Sequence, residues 1–277
     1  MTRLRSSDIA NISSHLRNFD VYLRERTGHT LCEISCQAVG IAPSSFENKA
    51  KRTKVWVIPL DVGQGLIEGF AETVRQIVVF LGSQGFISKQ SGVAGMAEAF
   101  EAHADIIMLA DDDTFLAVNR HTSCVADNAI MTARGFVAAT ELMISSLRGV
   151  SVLVMGCGRV GNTAATLFVE SGANVALFDI DADRSRELSG TIKRKYARRI
   201  TVENELPKDF KDYTVLFDAS PAENVIREHQ INSGTYVSAP GMPLGVDERA
   251  RQKLGKRLLH DPLQIGVATM VVKAVMG

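Results

Sequence analysis

Apolar residues recur at steps of three and four through residues 6 to 26, at Ile9, Ile12, Leu16, Phe19 and Leu23. That spacing predicts an amphipathic helix, with Ser6 or Ser7 as its N-cap. A second short helix is expected over 30 to 39, ended by Gly40. Lys54 to Leu60 (KVWVIPL) reads as a strand, followed by the loop Asp61-Val62-Gly63-Gln64-Gly65. Helical spacing then covers 66 to 81. A short strand is expected at 86 to 89, a helix at 93 to 103, and a buried strand at 106 to 110 (IIMLA). Strand, helix, helix, strand describes a small α/β domain. An Ala- and Met-rich helix over 129 to 147 links this half to the next, where a new pattern starts at Gly149. The expected division is therefore a helical and α/β domain over 1–148 and a second domain over 149–277.

Ser151 to Met155 (SVLVM) is apolar throughout, as a strand buried on both faces should be. It runs into Gly156-Cys157-Gly158-Arg159-Val160-Gly161, and a helix is expected from 163 to 171. A second apolar strand, Asn174 to Phe178, ends at Asp179, 18 residues beyond Gly161. Gly156 permits a tight turn, Gly158 lets a pyrophosphate approach the backbone, and Gly161 lets the helix pack closely. The helix N-terminus offers N–H groups and a positive dipole end to phosphates. Asp179 stands where a ribose-binding acid belongs, and its charge favours NAD over a 2′-phosphorylated dinucleotide. A lone glycine motif is weak evidence. Here the strand before, the helix after and the acid at the next strand end accompany it. The fold class expected is α/β, with a C-terminal Rossmann domain whose doubly wound sheet is mainly parallel.

Further strands are expected at 214 to 217, 235 to 238 and 258 to 260. Their carboxyl ends carry Asp218-Ala219-Ser220-Pro221, Ala239-Pro240-Gly241 and Asp261-Pro262. Cofactors bind outside the carboxyl ends of such strands, so these loops are expected to ring one cleft. Its candidate polar groups are Asp111, Asp112, Asp113, Asn119, Asn128 and Asp261. The basic run Arg184, Arg186, Lys193, Arg194, Lys195, Arg198 and Arg199 reads as a solvated helix face.

The chain has 277 residues, 45% of them hydrophobic, with 31 Lys+Arg against 31 Asp+Glu. A neutral chain argues against a general nucleic-acid binder. Four cysteines, Cys32, Cys36, Cys124 and Cys157, are too scattered for a disulfide framework and suit a reducing cytoplasm. Cys32 and Cys36 share a helix face, but no second ligand pair accompanies them, so no metal is expected. The first twenty residues are polar and charged, unlike a signal peptide. The apolar stretch 265–276 is too short to span a bilayer. No Gly-x-Ser-x-Gly elbow, Walker loop or catalytic histidine spacing is present.

The segments LADDDTFLAVN (109–119), ADN (126–128), VLVMGCGRVG (152–161), FDASP (217–221), APGMP (239–243) and DPLQIGVATM (261–270) resemble the PylD family, the pyrrolysine-forming dehydrogenases. Leu4, Asp8, Ile12 and Ser13 and the loop around Pro59, Gly63 and Gly65 fit as well, so the resemblance spans nearly the whole chain. It implies NAD-dependent oxidation of the terminal amine of 3-methyl-D-ornithyl-Nε-L-lysine, release of ammonium and closure of a pyrroline ring. It implies a substrate held between the two portions and partly covered by the first helix. Leu4, Asp61 and Val62 would line that pocket, and Asp111 and Asn128 would bind the substrate's polar ends, with Asp261 among the candidate groups. Gly156, Cys157, Gly158, Arg159, Val160, Gly161 and Asp179 would hold NAD. Ser220 and Pro221 would flank the nicotinamide ribose, with Ala239 and Pro240 beside them. The chain departs from the family pattern at Asp261, where the family carries Glu, and at Asp61-Val62, where it carries Thr and Ser. The residues alone leave two other readings open: another NAD-dependent amino-acid or imine dehydrogenase, and a non-catalytic NAD(H)-sensing module. A cytoplasmic enzyme, a small-molecule substrate, no membrane and a homodimer complete the expectation.

Overall fold

A computed structural model describes residues 4–60, 67–198 and 200–277. The chain divides into two compact units. The first takes Met1–Arg24, His29–Gly135 and Pro262–Gly277, and the second takes Glu25–Gly28 and Phe136–Asp261. Sequence reading drew the division at 148/149 and kept the C-terminus with the second half.

The first unit opens with α1 (Ser6–Ile9) and α2 (Ile12–Thr27), two helices where one was expected. Ile9, Ile12, Leu16 and Leu23 are buried, so the three-and-four spacing marks the inward face correctly. Next comes α3 (Leu31–Val39). Thr30 Oγ1 accepts the Glu33 N–H at 3.1 Å while Glu33 Oε2 accepts the Thr30 N–H at 2.7 Å, a reciprocal cap. The helix α4 (Pro43–Ala50) starts with proline, whose missing N–H costs nothing in a first turn.

Then follow β1 (Lys54–Val57), α5 (Phe70–Phe80), β2 (Gln84–Ile87), α6 (Gly92–Glu101) and β3 (Ile106–Ala110). Two strands that sequence reading did not assign come next, β4 (Phe115–Asn119) and β5 (Val125–Asp127). The sheet order is β2-β1-β3-β4-β5. The first three strands are mutually parallel, and β3, β4 and β5 pair antiparallel. The boundary between units falls inside α7 (Asn128–Ile144).

The second unit continues with β6 (Ser151–Met155), α8 (Arg159–Glu170), β7 (Asn174–Phe178), α9 (Ala182–Tyr196) and β8 (Thr201–Val202). It ends with β9 (Val215–Asp218), β10 (Tyr236–Ala239), α10 (Glu248–Leu254) and β11 (Leu258–His260). All six strands are parallel, in the order β11-β10-β9-β6-β7-β8. The order reverses between β6 and β9, which is the switch point where doubly wound sheets open a crevice. The core on one face joins Leu153, Leu216, Val237, Ile226 and Val246.

The last helix, α11 (Gln264–Met276), belongs to the first unit. It packs against α3, α4, α5, β4 and β5, and every residue from Gln264 to Val272 is buried. A helix surrounded on all sides is apolar all round. Among the described residues, no helix is long and apolar enough to cross a membrane.

Candidate functional site

In the second unit, β6 delivers the chain to Gly156, whose φ of +86° lies in the left-handed region where side chains are strained. Its N–H donates to the Phe178 carbonyl at 2.8 Å, tying the turn to the end of β7. The helix begins at Arg159, four residues earlier than the sequence suggested, so Arg159, Val160 and Gly161 form its first turn. That turn is where an α-helix presents N–H groups without helical partners. A Cβ on Gly161 would sit 1.8 Å from the Gly156 carbonyl oxygen, whereas a Cβ on Gly158 would meet nothing within 4 Å. One glycine is needed for packing; the other faces open space that a pyrophosphate can fill.

Asp179 follows β7 and is buried. Its Oδ2 accepts the Cys157 N–H at 2.6 Å, and its Oδ1 accepts the Asp181 N–H at 2.9 Å. The acid is thus fixed beside the glycine turn, with a second lone pair left on each oxygen. Burial first, and the Asp179 charge second, push the Cys157 thiol up to about 12. Cys157 therefore stays a neutral thiol and contributes its backbone. Sequence reasoning missed Ile180, which is 93% exposed directly after Asp179. An apolar side chain left in solvent beside a strand-ending acid suits a flat heterocycle. The signal was present as an apolar residue just after a strand-ending acid.

The basic run lies on α9 and beyond, with Arg184, Arg186, Lys193, Arg194, Lys195 and Arg198 exposed and Arg199 outside the described residues. Arg184 pairs with Asp181 at 3.3 Å and Arg186 with Asp183 at 2.9 Å, both on the helix surface. This is the solvated face that the sequence suggested.

Three loops leave the carboxyl ends of β9, β10 and β11. Ser220 donates its N–H and its Oγ–H to Asp218 Oδ1, at 3.0 and 2.7 Å, and Pro221 is exposed. The Ala239 carbonyl accepts the His260 Nδ1 hydrogen at 2.7 Å, and Pro240 is half-buried. Asp261 is buried at the end of β11. Asp218 is fully buried, and burial pushes its carboxyl up to about 6 against the lowering effect of the Ser220 hydrogen bonds. Sequence reading placed it in a loop at the cleft but gave its side chain no task of its own.

In the first unit, Leu4 is buried. Asp111 is exposed after β3, and its Oδ1 accepts the N–H groups of Asp113 and Thr114 at 2.8 and 2.6 Å. One oxygen of this carboxylate shapes the turn. Asn128 opens α7, with Nδ2 3.1 Å from the Met270 sulfur of α11. Asn119, a candidate polar group by sequence, is structural. Its amide donates to the Ala274 carbonyl at 2.8 Å and accepts the N–H groups of His121 and Thr122. Asp61 and Val62 lie outside the described residues. Cys36 hydrogen-bonds Cys32, which lowers the Cys32 thiol and raises the Cys36 thiol. Among the described residues, no three His, Cys, Asp or Glu side chains are placed to hold a metal ion.

A family model described as "Pyrrolysine biosynthesis protein PylD, N-terminal domain" matches residues 8–126, and one described as "Alanine dehydrogenase/PNT, C-terminal domain" matches 125–233. Pyrrolysine synthase of Methanosarcina barkeri is 31% identical over 98% of this chain and 97% of its own. That of Methanosarcina acetivorans is 29% identical over 98% of both. Among solved structures, quinate dehydrogenase from Corynebacterium glutamicum in complex with NAD superposes with a TM-score of 0.59 at 14% identity. The overlap covers 81% of this chain and 94% of that one. That likeness concerns the fold. The end-to-end match to the Methanosarcina enzymes, on a dehydrogenase scaffold, shows that this chain is an oxidoreductase and belongs to the pyrrolysine synthase (PylD) family.

Proposed function

We propose that the chain oxidises the terminal amine of 3-methyl-D-ornithyl-Nε-L-lysine with NAD+ and yields pyrrolysine. The observation that carries the dinucleotide half of this reading is the pinned acid: Asp179, hydrogen-bonded to Cys157, beside a turn left open at Gly158. The substrate half rests on family membership.

The residues present fit a dinucleotide. Gly156 to Gly161 and the first turn of α8 would take the pyrophosphate. Asp179 would accept hydrogen bonds from the adenosine ribose, and Ile180 would pack on the adenine. A 2′-phosphate would meet the Asp179 charge, which favours NAD over NADP. Ser220, Pro221, Ala239 and Pro240 would flank the nicotinamide half. When bound, NAD+ supplies the hydride acceptor.

Asp111 would hold a substrate ammonium as an ion pair through the oxygen its turn does not use, and Asn128 would hydrogen-bond a polar end. Leu4, Asp61 and Val62 would give the apolar and polar lining, and Asp261 would add a carboxylate one methylene shorter than the family's. Loss of hydride from the amine-bearing carbon and of a proton from its nitrogen leaves an imine. Water converts this to an aldehyde and ammonium. The aldehyde condenses with the neighbouring α-amine, returns one water and closes the pyrroline ring.

The test supplies NAD+ and the isopeptide to the purified chain and follows NADH by absorbance and the product by mass. Stoichiometric NADH and pyrroline support the reading. Dinucleotide binding without turnover points to a sensing module, and turnover of other amines alone points to a different amine dehydrogenase.

A further inference from the structure

Asp218 closes β9 and pairs in register with Met155 of β6, at the place where the strand order reverses. Two of its oxygens each hold a different loop, and a third is left without a partner among the described residues. Oδ1 accepts both the N–H and the hydroxyl of Ser220, at 3.0 and 2.7 Å. The backbone oxygen accepts the Gly241 N–H at 2.9 Å, which ties down the loop after β10. Oδ2 has no hydrogen-bond partner among the described residues and presses on Gly245, where a Cβ would lie 2.1 Å away.

The Ser220 loop in turn abuts the glycine turn. A Cβ on Gly156 would lie 2.9 Å from the Ala219 carbonyl and from the Ser220 nitrogen. The buried carboxyl thus sets the loop after β9 and with it the wall behind Gly156, while the backbone oxygen of the same residue ties the loop after β10. A buried carboxyl with an orphaned oxygen destabilises a fold. A position that needed only packing would be served better by an apolar residue. Such costly groups are held where the rest of the structure over-determines them, and they cluster at functional sites.

We propose that Asp218 is a positioning residue for the dinucleotide: through Ser220, its carboxylate holds the 219–221 loop against the glycine turn. The proposal rests on the reading that this crevice seats NAD. A carboxylate accepts charge-assisted hydrogen bonds, and a neutral carboxyl accepts weaker ones. Protonation of Asp218 therefore loosens Ser220 and weakens dinucleotide binding. Burial is what brings its titration up to about 6, and no charged side chain contributes to the shift. The titratable groups nearby are Glu223 on the segment after β9, Cys157 and Asp179 at the glycine turn, and His260 on the Ala239 carbonyl.

The experiment is calorimetric titration of the full chain with NADH at several pH values from about 5 to 8, spanning the carboxylate-to-histidine range. Asp218→Asn and Ser220→Ala are compared with the unmutated chain, and melting transitions check that each variant folds. The unmutated chain should bind NADH roughly three- to tenfold more weakly at the acid end, the size expected for one weakened hydrogen-bond pair. Asp218→Asn and Ser220→Ala should bind weakly at every pH, without that slope. If Asp218→Asn does not fold, the loss of slope in Ser220→Ala carries the test. Equal affinity and an unchanged slope in the variants overturn the role of Asp218 while leaving the dinucleotide reading intact. A chain that binds neither NADH nor NADPH at any pH overturns both.

Discussion

The Oδ2 of Asp179 lies 2.6 Å from the backbone nitrogen of Cys157 and accepts its hydrogen. The two residues are brought together by register, because β6 and β7 run parallel with Met155 opposite Phe178. An acid at the end of the second strand thereby braces the turn at the end of the first. The same carboxylate accepts the Asp181 N–H, at the start of α9. Asp179 therefore has a task in the turn that is separable from the one proposed for it toward a ribose.

Replacing Asp179 should separate these tasks. Asp179→Asn keeps an acceptor for one of the two N–H groups and removes the charge. NADH affinity should fall while NADPH affinity stays level or rises, since the repulsion of a 2′-phosphate is gone. Asp179→Ala should in addition lower the melting temperature, because the buried Cys157 N–H loses its acceptor, at about 1 kcal/mol or more, and the half-buried Asp181 N–H loses one too. Titration with both reduced dinucleotides reads the first effect and a thermal scan the second. Preference for NADPH in the unmutated chain would falsify the use made of Asp179.

Gly158 and Gly161 should part company under the same substitution. Gly161→Ala forces a Cβ to within 1.8 Å of the Gly156 oxygen, so the turn or the helix must shift, at a cost of about 1–3 kcal/mol or more. Gly158→Ala meets nothing in the protein and has no positive φ, so its melting temperature should be unchanged. Its methyl stands where the pyrophosphate would lie, so NADH affinity should drop at least tenfold, or about 1.4 kcal/mol. A Gly158→Ala chain that binds NADH normally would remove this turn from the site.

The strands were the most legible part of the sequence. IIMLA, SVLVM and NVALF begin and end in the structure at the residues their apolar runs indicate. Strands covered on both faces have no polar interruption, and glycine or aspartate punctuates their ends. Other elements left no such trace. The first turn of α8 contains Gly161, whose low helix propensity hid the true start at Arg159. Burial of α11 on every side erased the amphipathic period that would have announced a helix. Asp179 was legible because an acid at a fixed distance from the glycines is a local pattern. Asp218 was not, because its chemistry depends on Ser220, Gly241 and Gly245 meeting around it in three dimensions.

Stability should carry the signature of Asp218. Its carboxyl is raised from 3.8 to about 6 in the folded chain. Between those values the native state holds a proton that the unfolded chain has released. Stability therefore falls as the pH rises through this window and is level on either side. The shift corresponds to about 3 kcal/mol, at about 1.4 kcal/mol per unit. Urea unfolding from about pH 4 to pH 7 should show this decline in the unmutated chain, and Asp218→Asn should remove most of it. An identical slope in both chains would place the titrating group elsewhere.

Asp111 allows a substrate contact to be distinguished from a turn contact. Its Oδ1 is committed to the N–H groups of Asp113 and Thr114. Asp111→Asn keeps that acceptor and should leave the melting temperature unchanged. The charge is lost, and with it the proposed ion pair to a substrate ammonium. The expected result is a KM for the isopeptide raised tenfold or more, or a comparable fall in kcat/KM, equivalent to about 1.4 kcal/mol or more. Asp111→Ala should show the same kinetic loss together with a lower melting temperature, by about 1 kcal/mol for the turn. Kinetics unchanged in Asp111→Asn would confine this residue to the turn and leave Asn128 and Asp261 as the polar groups to be tried next.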